Sequence, residues 1–198
     1  MLMACRSTRQ SLFWSFLLTL LVIFGEVNGA MGDPAEQRVQ IGLRLFRTLV
    51  AADQDLEDKT DAEGRLELAL LYQNDRNQAE MLAEALRESG HGNEQGKIKN
   101  HPLRTVPVDL DTLKRLQPVP AAIYLVQPLP KPDLASVIRY GVDHHRIVFS
   151  PFEGQVEQGV LAGLAIEVRV MPHINQTTLR QSGIRLKELL LKVAKIHE

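Results

Sequence analysis

Five short stretches of this chain are rich in apolar residues, and segments of helical period separate them. They are Arg65–Tyr72 (RLELALLY), Leu103–Val108, Ala121–Val126 (AAIYLV), Arg146–Ser150 (RIVFS) and Val160–Val170 (VLAGLAIEVRV). A strand with one face in water alternates apolar and polar residues, whereas a strand covered on both faces reads as a near-continuous apolar run. Ala121–Val126 is the purest such run and lies between prolines. Leu103–Val108 is expected at an edge, because Pro107 removes a ladder donor. From Leu164 onward the last stretch alternates, with Leu164, Ile166, Val168 and Val170 on one face.

The intervening segments read as helices. Asp33-Pro34, with Glu36 three residues after the aspartate, makes a helix start. Val39, Leu43, Phe46 and Val50 then recur at helical spacing, and Leu45 and Leu49 widen the stripe. Asn74-Asp75 opens a helix carrying Ala79, Leu82, Ala83 and Leu86. Asp109–Leu116 is a short helix, and Pro132-Asp133 starts another with Leu134, Val137 and Ile138. The segment HGNEQGKIKN reads as a loop. Asn175–Gln181 is a short helix halted at Gly183, and Leu186–Ile196 is a closing helix. Strands alternating with helices imply parallel βαβ units. The expectation is one three-layer α/β domain over residues 31–198, with a mostly parallel sheet of about five strands and helices on both faces.

Residues 1–30 obey different rules. Arg6 and Arg9 precede the apolar run Leu12–Phe24, and Val27-Asn28-Gly29-Ala30 supplies small residues for cleavage after Gly29 or Ala30. That is the pattern of a secretory signal, and the run is shorter than the roughly 20 residues a membrane span needs. The chain is therefore expected to be exported, and not to span the membrane once cleaved. Its single cysteine, Cys5, lies inside the signal. Disulfide, thiol nucleophile, redox pair and cysteine metal site are thereby excluded from the mature chain. A net charge of −1 without a basic run offers nothing to nucleic acid.

Catalytic motifs are missing. There is no phosphate-binding loop ending in Lys-Ser/Thr, no G-x-S-x-G and no H-E-x-x-H. Gly90, Gly92 and Gly96 follow a helix rather than a strand, which argues against a dinucleotide fingerprint. Asp143-His144-His145 suits a helix end, where a protonated imidazole favours the dipole. Asp53, Asp55, Glu57 and Asp58 lack the glycine-centred frame of a calcium loop and read as a solvated acidic loop. No enzyme activity, cofactor or metal is expected. Ligands of open α/β sheets sit beyond the carboxyl ends of strands. The segment that follows Arg146–Ser150 therefore supplies the candidate binding loop, with Phe152, Glu153, Gly154 and Glu157. Glu153, Glu157 and His173 are the residues a hydrolase would bring together there.

The C-terminal third carries a resemblance. The order runs from Phe149–Gly154 through Val156–Gly163 and Ile166–Val170. It continues with Ile174-Asn175, Leu179–Ile184 ending a short helix at Gly183, and Leu190-Leu191-Lys192-Val193-Ala194. This resembles the YfiR/HmsC-like family of exported proteins. The resemblance implies a periplasmic, non-enzymatic regulatory domain acting on an inner-membrane signalling protein such as a diguanylate cyclase. It also gives Asn175 a capping role, Gly183 a left-handed stop, and the Leu189–Val193 face a place in the core. The alternative function is a small solute-binding component of an uptake system.

Overall fold

A computed structural model describes residues 34–198, of which Ala35–Glu198 form one compact unit. The expected signal peptide and the cap at Asp33 lie outside the described residues. The elements are α1 (Pro34–Ala52), β1 (Leu66–Leu71), α2 (Arg76–Glu88), β2 (Lys97–Ile98), β3 (His101–Val108), α3 (Leu110–Arg115) and β4 (Ala122–Leu125). They continue as α4 (Lys131–Asp143), β5 (Ile147–Ser150), β6 (Ala162–Ile166), β7 (Val170–Asn175), α5 (Gln176–Ser182), α6 (Glu188–Val193) and β8 (Lys195–His197).

The strands make one eight-stranded sheet in the order β2-β3-β1-β4-β5-β6-β7-β8. The five expected stretches are its centre, and β3, β1, β4, β5 and β6 all run parallel. Around them stand three further strands. β2 pairs antiparallel with the start of β3, β7 returns antiparallel to β6, and β8 lies parallel to β7. Among the described residues no strand flanks the outer side of β3 past Pro102, and Pro107 lies in that length. β1, β4 and β5 are buried at every position, as their composition requires.

Alternate residues of each strand feed two cores. Leu66, Leu68, Leu70, Tyr124 and Phe149 face α1 and α2, packing on Phe46, Leu49, Leu82 and Leu86. Ala69, Leu71, Ile123, Leu125 and Val148 face α3 and α4, meeting Leu113, Leu134 and Val137. Phe46, Tyr124 and Phe149 make an aromatic cluster with ring centroids 5.4–5.7 Å apart, and the Tyr124 hydroxyl donates to the Val39 carbonyl at 3.0 Å. Burial raises the Tyr124 phenol far above its ordinary pKa, so it donates at every physiological pH.

Five expectations are corrected. The alternating stretch 164–170 is not one strand, because the chain reverses at Glu167–Arg169 and leaves Ile166, Val168 and Val170 exposed around a hairpin tip. The closing helix ends at Val193 and gives way to β8, and HGNEQGKIKN contains β2. Of the Leu189–Val193 face only Leu190 is buried; Leu189 is 76% exposed. A six-residue helix lying on a sheet margin can turn only one narrow stripe inward. The acidic loop is not wholly solvated either. Asp53 is buried, forms an ion pair with buried Lys59 and accepts from the Asp55 amide at 3.0 Å. A buried carboxylate needs such partners.

Candidate functional site

The segment after β5 is held from inside. The Ser150 hydroxyl donates to Gln155 Oε1 at 2.6 Å and accepts from the Phe152 amide at 3.1 Å. Asn175, at the end of β7, fastens it from behind. Its Oδ1 accepts from the Thr178 amide and caps α5, while its Nδ2 donates to the Val156 carbonyl, both at 2.8 Å. Gly183 ends α5 with a φ of 66°, a left-handed conformation that glycine adopts without strain. Both capping roles expected of these residues are present.

The opposite wall comes from α1. A β-carbon at Gly42 would stand 2.9 Å from both Pro151 Cβ and the Tyr124 hydroxyl, so only glycine lets the helix lie this close. One turn earlier, Arg38 donates to the carbonyls of Pro151 and Leu164, and its Nη1 meets Glu153 at 3.3 Å. The guanidinium thereby joins the end of β5 and the middle of β6 to the first helix.

Between these walls, at the carboxyl ends of β5 and β6, opens a cleft of about 310 Å³. Phe152, Glu153, Gly154 and Glu157, the four residues of the candidate loop, all line it, together with Arg38, Glu167, His173 and Lys195. His173, from a later strand, therefore shares one site with Glu153 and Glu157 of the loop. Lys195 donates to Glu167 at 2.9 Å across the β7–β8 margin, which lowers the Glu167 pKa and raises that of the lysine. His173 is the buried polar residue of the site, with its side chain 8% exposed. Its Nδ1 lies 3.9 Å from Glu157, beyond hydrogen-bond distance. Burial lowers its pKa and Lys195 and His197 add to this, while Glu157 and Glu167 oppose it; the net shift favours the neutral imidazole. The lining contains no serine, threonine or cysteine. Among the described residues no three His, Cys, Asp or Glu side chains are grouped to hold a metal ion.

Sequence reasoning missed Arg38, Glu167 and Lys195. Arg38 is one of several arginines on an amphipathic helix, and nothing in its spacing distinguishes it. Glu167 and Lys195 become neighbours only through a hairpin and a three-residue strand. The remaining candidate clusters stay apart from the cleft. His144 ends α4 and packs tilted against Tyr140 with ring centroids 4.4 Å apart, while His145 Nδ1 contacts the Ser182 carbonyl at 2.6 Å.

A second region lies where ligands of such sheets commonly sit, at the switch point between β1 and β4. The chain leaves β1 through α2 on one face and leaves β4 through α4 on the other. Here the Gln127 carboxamide oxygen accepts from the amides of Gln73, Asn74 and Asp75 at 3.0, 3.1 and 3.2 Å, and its nitrogen donates to Asn74 at 2.6 Å. A neighbouring hollow of about 280 Å³ is lined by Tyr72, Asp109, Asp111 and Asp133.

No family model matches the chain, and no curated protein matches it in sequence. Solved structures do match in fold. The ABC domain in complex with L-Trp from Streptococcus pneumonia superposes with a TM-score of 0.50 at 14% identity, over 81% of this chain and 60% of that one. A conserved domain protein from Vibrio cholerae gives 0.51 at 16% identity, over 84% and 60%. The ligand-free, open structure of a substrate binding protein with adhesive properties from Clostridium difficile gives 0.52 at 12% identity, over 79% and 58%. The class these likenesses define is one of fold alone: a mostly parallel α/β domain. The chain spans about three fifths of the length of each of these structures.

Proposed function

We propose that this chain is a solute-binding module working outside the cytoplasm, as a component of an uptake system, and that the solute lies in the cleft at the carboxyl ends of β5 and β6. One observation carries the reading. In a fold shared with substrate-binding proteins, a concave site of small-molecule size opens where parallel strands end, with an aromatic ring and several convergent polar groups. Of the similar structures, one holds L-Trp and one is a substrate binding protein. The cleft is built within a single compact unit, so it needs no second lobe to exist. The N-terminal signal pattern supports an extracytoplasmic location, and no helix among the described residues is long and apolar enough to cross a membrane. The test is thermal unfolding against a library of small metabolites. A ligand at 100 times its Kd stabilises by roughly 2.7 kcal/mol, several degrees in melting temperature for a domain of this size. A melting temperature that no compound moves overturns the reading.

A second reading has its own observation. Ile166, Val168 and Val170 stand exposed around one hairpin tip, and a cluster of exposed apolar residues marks a protein-facing surface. That suits the periplasmic regulator implied by the YfiR/HmsC-like resemblance, acting on an inner-membrane signalling protein of the diguanylate cyclase kind. In-cell crosslinking from position 168, with mass spectrometry of the captured membrane proteins, separates the two. A signalling receptor favours the regulator, and a transporter subunit favours solute delivery.

A further inference from the structure

Building on the solute-binding reading, we propose that the cleft takes an ammonium-bearing organic solute, its N–H groups donated to the Glu157 carboxylate and to a ring nitrogen of His173, with its apolar part against Phe152.

The charges of the cleft are already sorted into pairs, with one left over. Arg38 gives its N–H groups to two carbonyls and to Glu153, and Lys195 gives its ammonium to Glu167. Glu157 has neither an arginine nor a lysine partner among the described residues; its nearest charge-capable neighbour is His173 at 3.9 Å. A neutral imidazole offers one acceptor and one donor nitrogen, and a carboxylate offers acceptors alone. No hydrogen bond to His173 forms among the described residues, although its side chain is more than nine-tenths buried and lines the cleft. Its ring nitrogens are open to the cleft and not sealed from it, so a solute there can reach them. A primary ammonium supplies three donors and one positive charge. It satisfies the lone carboxylate and the imidazole acceptor together, and brings the five charged groups of the cleft to neutrality. The ring of Phe152 adds an apolar wall on which a cation is also favoured.

Other charge classes fit worse. An anionic solute must displace Glu153 or Glu167 from its cation while lying beside the uncompensated Glu157. A metal ion lacks a group of three ligating side chains among the described residues. A zwitterion gains the ammonium contacts but brings a carboxylate for which no free cation waits, so the amine should be preferred to the matching amino acid.

The experiment is calorimetric titration and thermal shift of the full chain with matched triads: an amine, the amino acid and the carboxylic acid that share one side chain, over a range of aliphatic and aromatic side chains. The expected result is binding of at least one amine, ten times or more tighter than its amino acid, with no acid bound. Glu157→Gln should weaken that amine at least tenfold while leaving the melting temperature of the unliganded protein unchanged, because Glu157 is half exposed. Preference for acids or amino acids, or amine binding indifferent to Glu157→Gln, overturns the inference and leaves the solute-binding reading standing. No binding in any class also overturns the inference, and the solute-binding reading falls with it only if the wider metabolite library also leaves the melting temperature unmoved.

Discussion

The carboxyl edge of the sheet is treated in opposite ways at its two regions. At the switch point between β1 and β4, three successive backbone amides converge as they would on a bound anion, and the Gln127 carboxamide already occupies them. At the ends of β5 and β6 the backbone is satisfied by Ser150, Asn175 and Arg38, while Glu157 and His173 face open space. The first region has spent its recognition groups on itself. The second keeps side chains in reserve, and side chains discriminate charge and shape where a ring of amides accepts almost any anion. A parallel sheet therefore need not bind where its topology first invites it.

The largest effect should come from the support the cleft stands on. Phe46→Ala empties the centre of the aromatic cluster and is expected to cost about 3–5 kcal/mol in denaturant unfolding. A loss under 1 kcal/mol would mean that α1 is not anchored as described. Next is Asn175. Alanine there removes a helix cap and one of the two donors to the Val156 carbonyl, which keeps the Gly159 amide, together about 2 kcal/mol. Asn175→Asp keeps the cap acceptor and loses only the donor to Val156, so it should fall between wild type and alanine. If Asn175→Asp is as stable as wild type, the tie to the loop is worth nothing.

Gln127→Ala sharpens the contrast directly. It should cost about 1 kcal/mol, speed hydrogen exchange at Gln73–Asp75, and leave solute binding at the β5–β6 cleft unchanged. A change in solute affinity would show that the two regions are one site.

The smallest effect is a pH dependence. His173 has its pKa lowered on folding, so the unfolded chain takes up the proton first as pH falls. Stability should be full above about pH 6.5 and decline below it, toward the lowered folded value. The groups facing the ring are Glu157, Lys195, His197 and Glu167. His173→Gln should flatten this part of the profile, measured as melting temperature between pH 7 and 5; an unchanged slope would assign it elsewhere.

The central sheet was legible because burial on both faces forces composition: six apolar residues between prolines at Ala121–Val126 have few other uses. The hairpin at Glu167–Arg169 was not, since its turn contains no glycine, proline or asparagine and its valine continues the alternation into solvent. β2 and β8, at two and three residues, are too short for any period to register. The closing helix was read too long because Ala194 and Lys195 are ordinary helix formers, and only pairing with β7 pulls the chain straight. For the site, the loop after β5 could be found from strand order alone. Its cationic partners could not, because Arg38 and Lys195 meet it through tertiary approach.

That approach depends on Gly42. The helix rests on Pro151 and Tyr124 across a gap too small for one methyl group, so this position acts as a spacer gauge for the cleft. Any larger residue must lift α1 or turn the Tyr124 hydroxyl away from Val39, and either adjustment carries Arg38 with it. The aperture that a solute meets is thus calibrated from behind the wall, at a residue no solute touches, and selection for a different cargo could act there while every lining side chain stayed the same.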